Sequence, residues 1–205
     1  MPRQTLENEI GRLQDEVYAL GREVGDAILR SVEILRLRDL KAARAMIAAD
    51  ESINARRFAI EADCLTLVAT QQPVASDVRM IAAILEIATE LERTGDYAKG
   101  IARITLLRGP HPMINPPAQF SLMAQRAVDM LLRALRAFPA KDAQAARAIA
   151  EEDDEVDVLY NRVYRELIAL VVRDPSTIDQ VSNLLWVAHN LERAADRVTN
   201  ICERV

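Results

Sequence analysis

Histidine and cysteine are nearly absent: the chain has two of each among 205 residues. Neither His111 nor His189 has a glutamate three residues before it, so the Glu-x-x-His pairs of a ferritin-like di-iron oxidase are missing. Cys64 and Cys202 form no metal-type or redox-type spacing and read as reduced, packed thiols of a cytosolic protein. Six glycines provide no glycine-rich phosphate loop, and no serine or cysteine nucleophile can be matched to a base. No catalytic residue is therefore assigned. Aromatic residues make up 4% of the chain, which gives little support to a sheet. Basic blocks are also lacking, and the net charge of -5 argues against nucleic acid or an anionic membrane surface as partner. No apolar run approaches the roughly 20 residues that cross a bilayer. The first residues, Met1 to Glu9, are polar where a signal peptide needs an apolar run. The expectation is a cytoplasmic protein that reaches a membrane only by docking on another protein.

What is present is helical. Half the residues are apolar, and Leu6, Ile10, Leu13, Val17, Leu20, Val24, Ile28 and Leu35 recur in a three-and-four rhythm. A second helix is predicted from the N-cap residue Asp39 to about Thr70, before Pro73, and a third from Ser76 or Asp77 to about Leu107. The segment 109–117 holds four of the eight prolines and cannot be helical throughout. After it the pattern restarts. A shift of 103 positions places Asp39 on Asp142, Asp50 on Asp153, Asn54 on Asp157 and Asp26 on Asp129. At the third helix the shift becomes 100, which predicts that the turn carrying Pro73 is three residues longer than the one carrying Pro175. The predicted fold class is all-α: two pseudo-repeated three-helix bundles, six long antiparallel helices in all. The first bundle spans 1–108, the proline-rich linker 109–117 and the second bundle 118–205.

Each unit repeats a set of acids or their amide. The first set is Asp26, Asp50 with Asn54, and Glu92 with Asp96; the second is Asp129, Asp153 with Asp157, and Glu192 with Asp196. The i,i+4 pairs project together from one helix face, where like charges repel by a few tenths of a kcal/mol unless something positive lies between them. Glu92 lies at the edge of the packed stripe beside Leu85 and Ala88, and Glu192 likewise beside Leu185 and Ala188. Carboxylates there lose hydration, and protonation, a basic partner or a metal must compensate. Oxygen-only ligands suit Mg, Mn or Fe, with Zn also allowed, and bridging carboxylates can hold more than one ion. The competing explanation is an ordinary surface network in which Arg93, Arg193 and Arg197 pair with the acids.

Leu91-Glu92-Arg93-Thr94-Gly95-Asp96 returns as Leu191-Glu192-Arg193-Ala194-Ala195-Asp196. Together with the runs Asp50 to Asn54 and Asp153 to Asp157, and with Pro73-Val74-Ala75-Ser76-Asp77-Val78-Arg79, this pattern resembles the PhoU family over nearly the whole chain. The resemblance implies a cytoplasmic negative regulator of phosphate uptake and phosphate-starvation signalling, built from two three-helix bundles. Its implied partners are the phosphate ABC transporter, through the ATPase subunit, and a membrane-bound sensor histidine kinase. It also implies multinuclear iron or zinc clusters in some members, whose ligand roles fall on Glu92, Asp96, Glu192 and Asp196 and extend to Asp50, Asn54, Asp153 and Asp157. Self-association as a homodimer stays open.

Two other readings compete with it. A nucleotide pyrophosphohydrolase finds its first element in Glu151-Glu152-x-x-Glu155, but the second fails because Glu192 and Asp196 are four positions apart rather than three. A metal-free helical scaffold draws on Trp186, whose counterpart is Glu86; packing between the bundles is the expectation for that side chain. His189 is expected on the polar surface, and His111 has no assigned role.

Overall fold

The computed structural model describes residues 2–108 and 114–205. Its helices are α1 (Pro2–Leu37), α2 (Leu40–Gln71), α3 (Ala75–Arg108), α4 (Gln119–Ala140), α5 (Ala143–Glu151), α6 (Asp153–Arg173) and α7 (Ile178–Cys202), with no strand among the described residues. His111 lies outside them. The apolar stripe of α1 is buried as its rhythm requires, from Leu6 through Leu35, with Ile10 packed at its edge. No described helix is long and apolar enough to cross a membrane. Cys64 and Cys202 are free and buried, and burial pushes both thiols up to about 11.

The duplicated sequence builds duplicated corners. Arg38 and Lys141 are equivalent positions, and both take left-handed conformations, φ 55° and 53°. The next residue caps the following helix in each unit: Asp39 accepts from the Ala42 amide and Asp142 from the Ala145 amide, both at 2.9 Å. Two differences from the sequence expectation stand out. The helix equivalent to α2 is interrupted at Glu152, whose side chain is drawn to Arg133 of α4 while its amide bonds back only three residues, to Ile149. The three extra residues near Pro73 lengthen α3 rather than the turn: the Val74 carbonyl accepts from the Asp77 and Val78 amides and starts the helix early. In the second unit Pro175–Thr177 form a 3-10 turn capped by Asp174 instead.

One apolar core runs through both units. They meet where α1 packs on α4 and α3 packs on α7. The equivalent positions 25 and 128 face each other, since a Cβ added to Gly25 would lie 3.1 Å from a Val128 methyl. On α3 and α7, Asn200 donates to Glu90 at 3.0 Å, and the exchanged pair, Asn190 and Gly100, also meets. Contacts that recur when the units are exchanged are what a local two-fold axis produces. At Gly21 an added Cβ would fall inside Leu135, whereas Gly11 has nothing nearby. Gly21→Val is expected to destabilise the fold by about 1–3 kcal/mol through overpacking, and Gly11→Ala to stabilise it by roughly 0.5–1 kcal/mol. Denaturant titrations of the two variants check both signs.

Candidate functional site

In the first unit α2 supplies Asp50 and Asn54, and α3 supplies Glu92 and Asp96. Asp50 shares a helix face with the buried Ile53 and is itself 6% exposed. Its carboxylate accepts from Lys99 Nζ at 2.5 Å and from the Asn54 amide at 3.2 Å. The same ammonium lies 3.6 Å from Asp96 Oδ1. Burial, then the charge of Asp96, pushes the Glu92 carboxyl above its ordinary range, while Arg57 opposes the shift. Asp26 is exposed on α1 and joins Asp50 and Lys99 in lining an open groove of about 570 Å³ between α1, α2 and α3. Lys99 is the residue that the acid-counting missed. Its signal was available: it follows Asp96 by three positions, and Thr199 stands at the equivalent place.

The second unit gathers Asp153 and Asp157 from α6 with Glu192 and Asp196 from α7. Asp153 Oδ1 and Glu192 Oε2 are buried without a hydrogen-bond partner. Burial, followed by the charges of Asp196, Asp157 and Glu192, pushes the Asp153 carboxyl up to about 6. Asp157 and Glu192 are also raised, by burial first and Asp196 next. The compensating cation, Arg193, pairs with Asp196 at 2.5 Å. His189 Nδ1 comes within 3.4 Å of Glu192 Oε2 and is half exposed. Asp129 faces elsewhere: it pairs at 2.9 Å with Arg133, which also holds Glu152, so α4 offers this acid to an ion-pair network.

Trp186 corrects an expectation, because it is 62% exposed rather than packed between the units. The ring instead meets His189 edge-on, with centroids 6.3 Å apart, and so borders the second acidic cluster.

Among the described residues no three histidine, cysteine, aspartate or glutamate side chains are already gathered as a ligand shell. The donor chemistry still separates the two units. Four carboxylates, with Asp153 Oδ1 buried and unbonded and Glu192 Oε2 met only by His189 at 3.4 Å, are donors suited to a hard or borderline cation, although Arg193 already pairs with Asp196; in the first cluster an ammonium sits directly on the buried Asp50. For the metal-free protein the sign of the pH dependence follows from Asp153. A carboxyl raised from 3.8 to about 6 holds more protons folded than unfolded between those values, so its stabilising contribution is complete below the lower value and lost as pH rises through the upper. Thermal melts are expected to show metal-free wild type losing stability relative to Asp153→Asn between about pH 4 and pH 7, with the variant the more stable at neutral pH. Identical pH slopes would mean that Asp153 carries no such strain.

Known proteins can be set beside this geometry. Residues 17–105 and 120–205 each match the PhoU domain family. A Streptococcus pneumoniae protein named phosphate-specific transport system accessory protein PhoU homolog is 32% identical over 203 residues, covering 99% of this chain and 94% of the relative. A Caulobacter vibrioides protein of the same name is 35% identical over 196 residues, covering 95% and 85%. The crystal structure of the phosphate transport system regulatory protein PhoU from Streptococcus pneumoniae superposes with a TM-score of 0.89 at 31% identity, covering 97% of this chain and 94% of that one. PhoU from Pseudomonas aeruginosa gives 0.87 at 30% identity, with 97% and 95% covered. With both units matched in sequence and in fold, the chain belongs to the PhoU domain family.

Proposed function

We propose that this protein is a cytoplasmic negative regulator of phosphate uptake and phosphate-starvation signalling. It docks on the ATPase subunit of a phosphate ABC transporter and on a sensor histidine kinase. The observation that carries this reading is the end-to-end match of both units to proteins named as accessories of the phosphate-specific transport system. Asp153, Asp157, Glu192 and Asp196 are the residues that would hold a metal ion. A bound cation there supplies positive charge to a face that otherwise repels phosphate and acidic partners. Trp186 sits beside that face as an exposed aromatic side chain, the kind that anchors partner surfaces.

Catalysis finds little support. The Glu151-Glu152-x-x-Glu155 element straddles the break between α5 and α6, Glu152 is held by Arg133, and Glu155 lies 3.4 Å from Arg126. Its carboxylates do not share one continuous helix face for binding a nucleotide's metal.

Calorimetric titration of the purified protein with the transporter's ATPase subunit, and separately with the cytoplasmic part of the kinase, tests the docking. Wild type is expected to bind both, and Trp186→Ala to lose about 2 kcal/mol, roughly 30-fold, toward at least one of them. Phosphate uptake measured in cells under phosphate sufficiency is expected to rise when the protein is removed. Absence of binding to either partner, with uptake unchanged on removal, would sink the assignment.

A further inference from the structure

On the premise of a metal-bearing second cluster, we propose that Lys99 is the resident cation of the first acidic cluster and excludes metal from it, so that this chain is a one-sided metal protein. Asp50 is more than nine-tenths buried, a position where an uncompensated carboxylate is costly. Lys99 meets it at 2.5 Å and reaches Asp96 at 3.6 Å. It thereby bridges the carboxylates from α2 and α3 that a metal would otherwise have to bridge. Asn54 completes the arrangement with an amide donor where the second unit has the acid Asp157.

The second unit acts as an internal control. At the position of Lys99 it has Thr199, whose hydroxyl is spent on the Asp196 carbonyl at 2.8 Å. At the position of Arg57, whose charge opposes the rise in Glu92, it has Tyr160. The backbone and the acid positions are therefore repeated while the cations at positions 57 and 99 are not; the second cluster's own cation, Arg193, pairs with Asp196. The carboxylate equivalent to Asp50, that of Asp153, has a buried oxygen without a partner. A metal entering the first cluster would have to displace an ammonium that already makes a charge-assisted hydrogen bond. One entering the second would displace no such group from Asp153.

The test uses the full chain with its second cluster neutralised by Asp153→Asn, Asp157→Asn, Glu192→Gln and Asp196→Asn, with helicity checked by circular dichroism. In that background, metal content after loading with Mn²⁺ or Zn²⁺, and the accompanying shift in Tm, are measured with Lys99, Lys99→Arg and Lys99→Thr. With Lys99 or arginine in place, no metal is expected and Tm does not move. Lys99→Thr is expected to melt lower without metal, to take up metal, and to gain roughly 5–10 °C at saturation. Uptake with Lys99 intact, or none in the threonine variant, overturns the proposal. Metal content of the wild type against the background variant is scored separately and reports on the premise of a metal-bearing second cluster.

Discussion

The packing of α3 against α7 is the contact on which the remaining architecture depends. Both helices carry the Glu-x-x-x-Asp motif, and each also packs against the helices of its own unit. At the seam, burial alone would raise the Glu90 carboxyl, but hydrogen bonds from Asn200 and Arg197 outweigh it and hold the group below its ordinary range. Glu90 and Glu92 lie on the same helix two residues apart, so the side chain that ties the units together and the one that faces α2 are fixed by a single backbone. Moving α3 relative to α7 necessarily moves Glu92 with it.

Around that seam, two copies of one backbone plan solve the same electrostatic problem differently. A carboxylate at the edge of a helical core needs a positive partner, a donor or a proton. The first unit satisfies Asp50 with an ammonium and an amide. The second leaves Asp153 among acids. Partners that read charge would therefore see two unlike faces on a molecule whose helices are nearly symmetric. Directional docking becomes available without any departure from the repeated fold.

Much of this was legible before any coordinates. The α1 stripe, the Asp39 and Asp142 caps and the i,i+4 acid pairs are local patterns, and local geometry carries them through to the structure. What was not legible depended on contacts between helices. Glu152, at the break, is held by Arg133 of α4, and Trp186 lies exposed against His189 rather than between the units. Asp129 is an exception of the opposite kind: its partner Arg133 stands four residues on along the same helix, a local pairing that the sequence already offered. Lys99 was visible as an inequality between the units, yet only its distance to Asp50, on another helix, gives that inequality a meaning.

The facing positions 25 and 128 have a consequence for how such a chain could arise. In a symmetric dimer of a single unit, a residue on the axis faces its own copy: two valines crowd each other there, and two glycines leave a gap. A tandem chain escapes that constraint, because each copy of the axis residue is encoded separately. Gly25 opposite Val128 is a small-against-large fit that no homodimer of the unit could adopt. Joining the halves thus released the interface from self-complementarity, and the same release lets a lysine settle in one acidic cluster and not in the other.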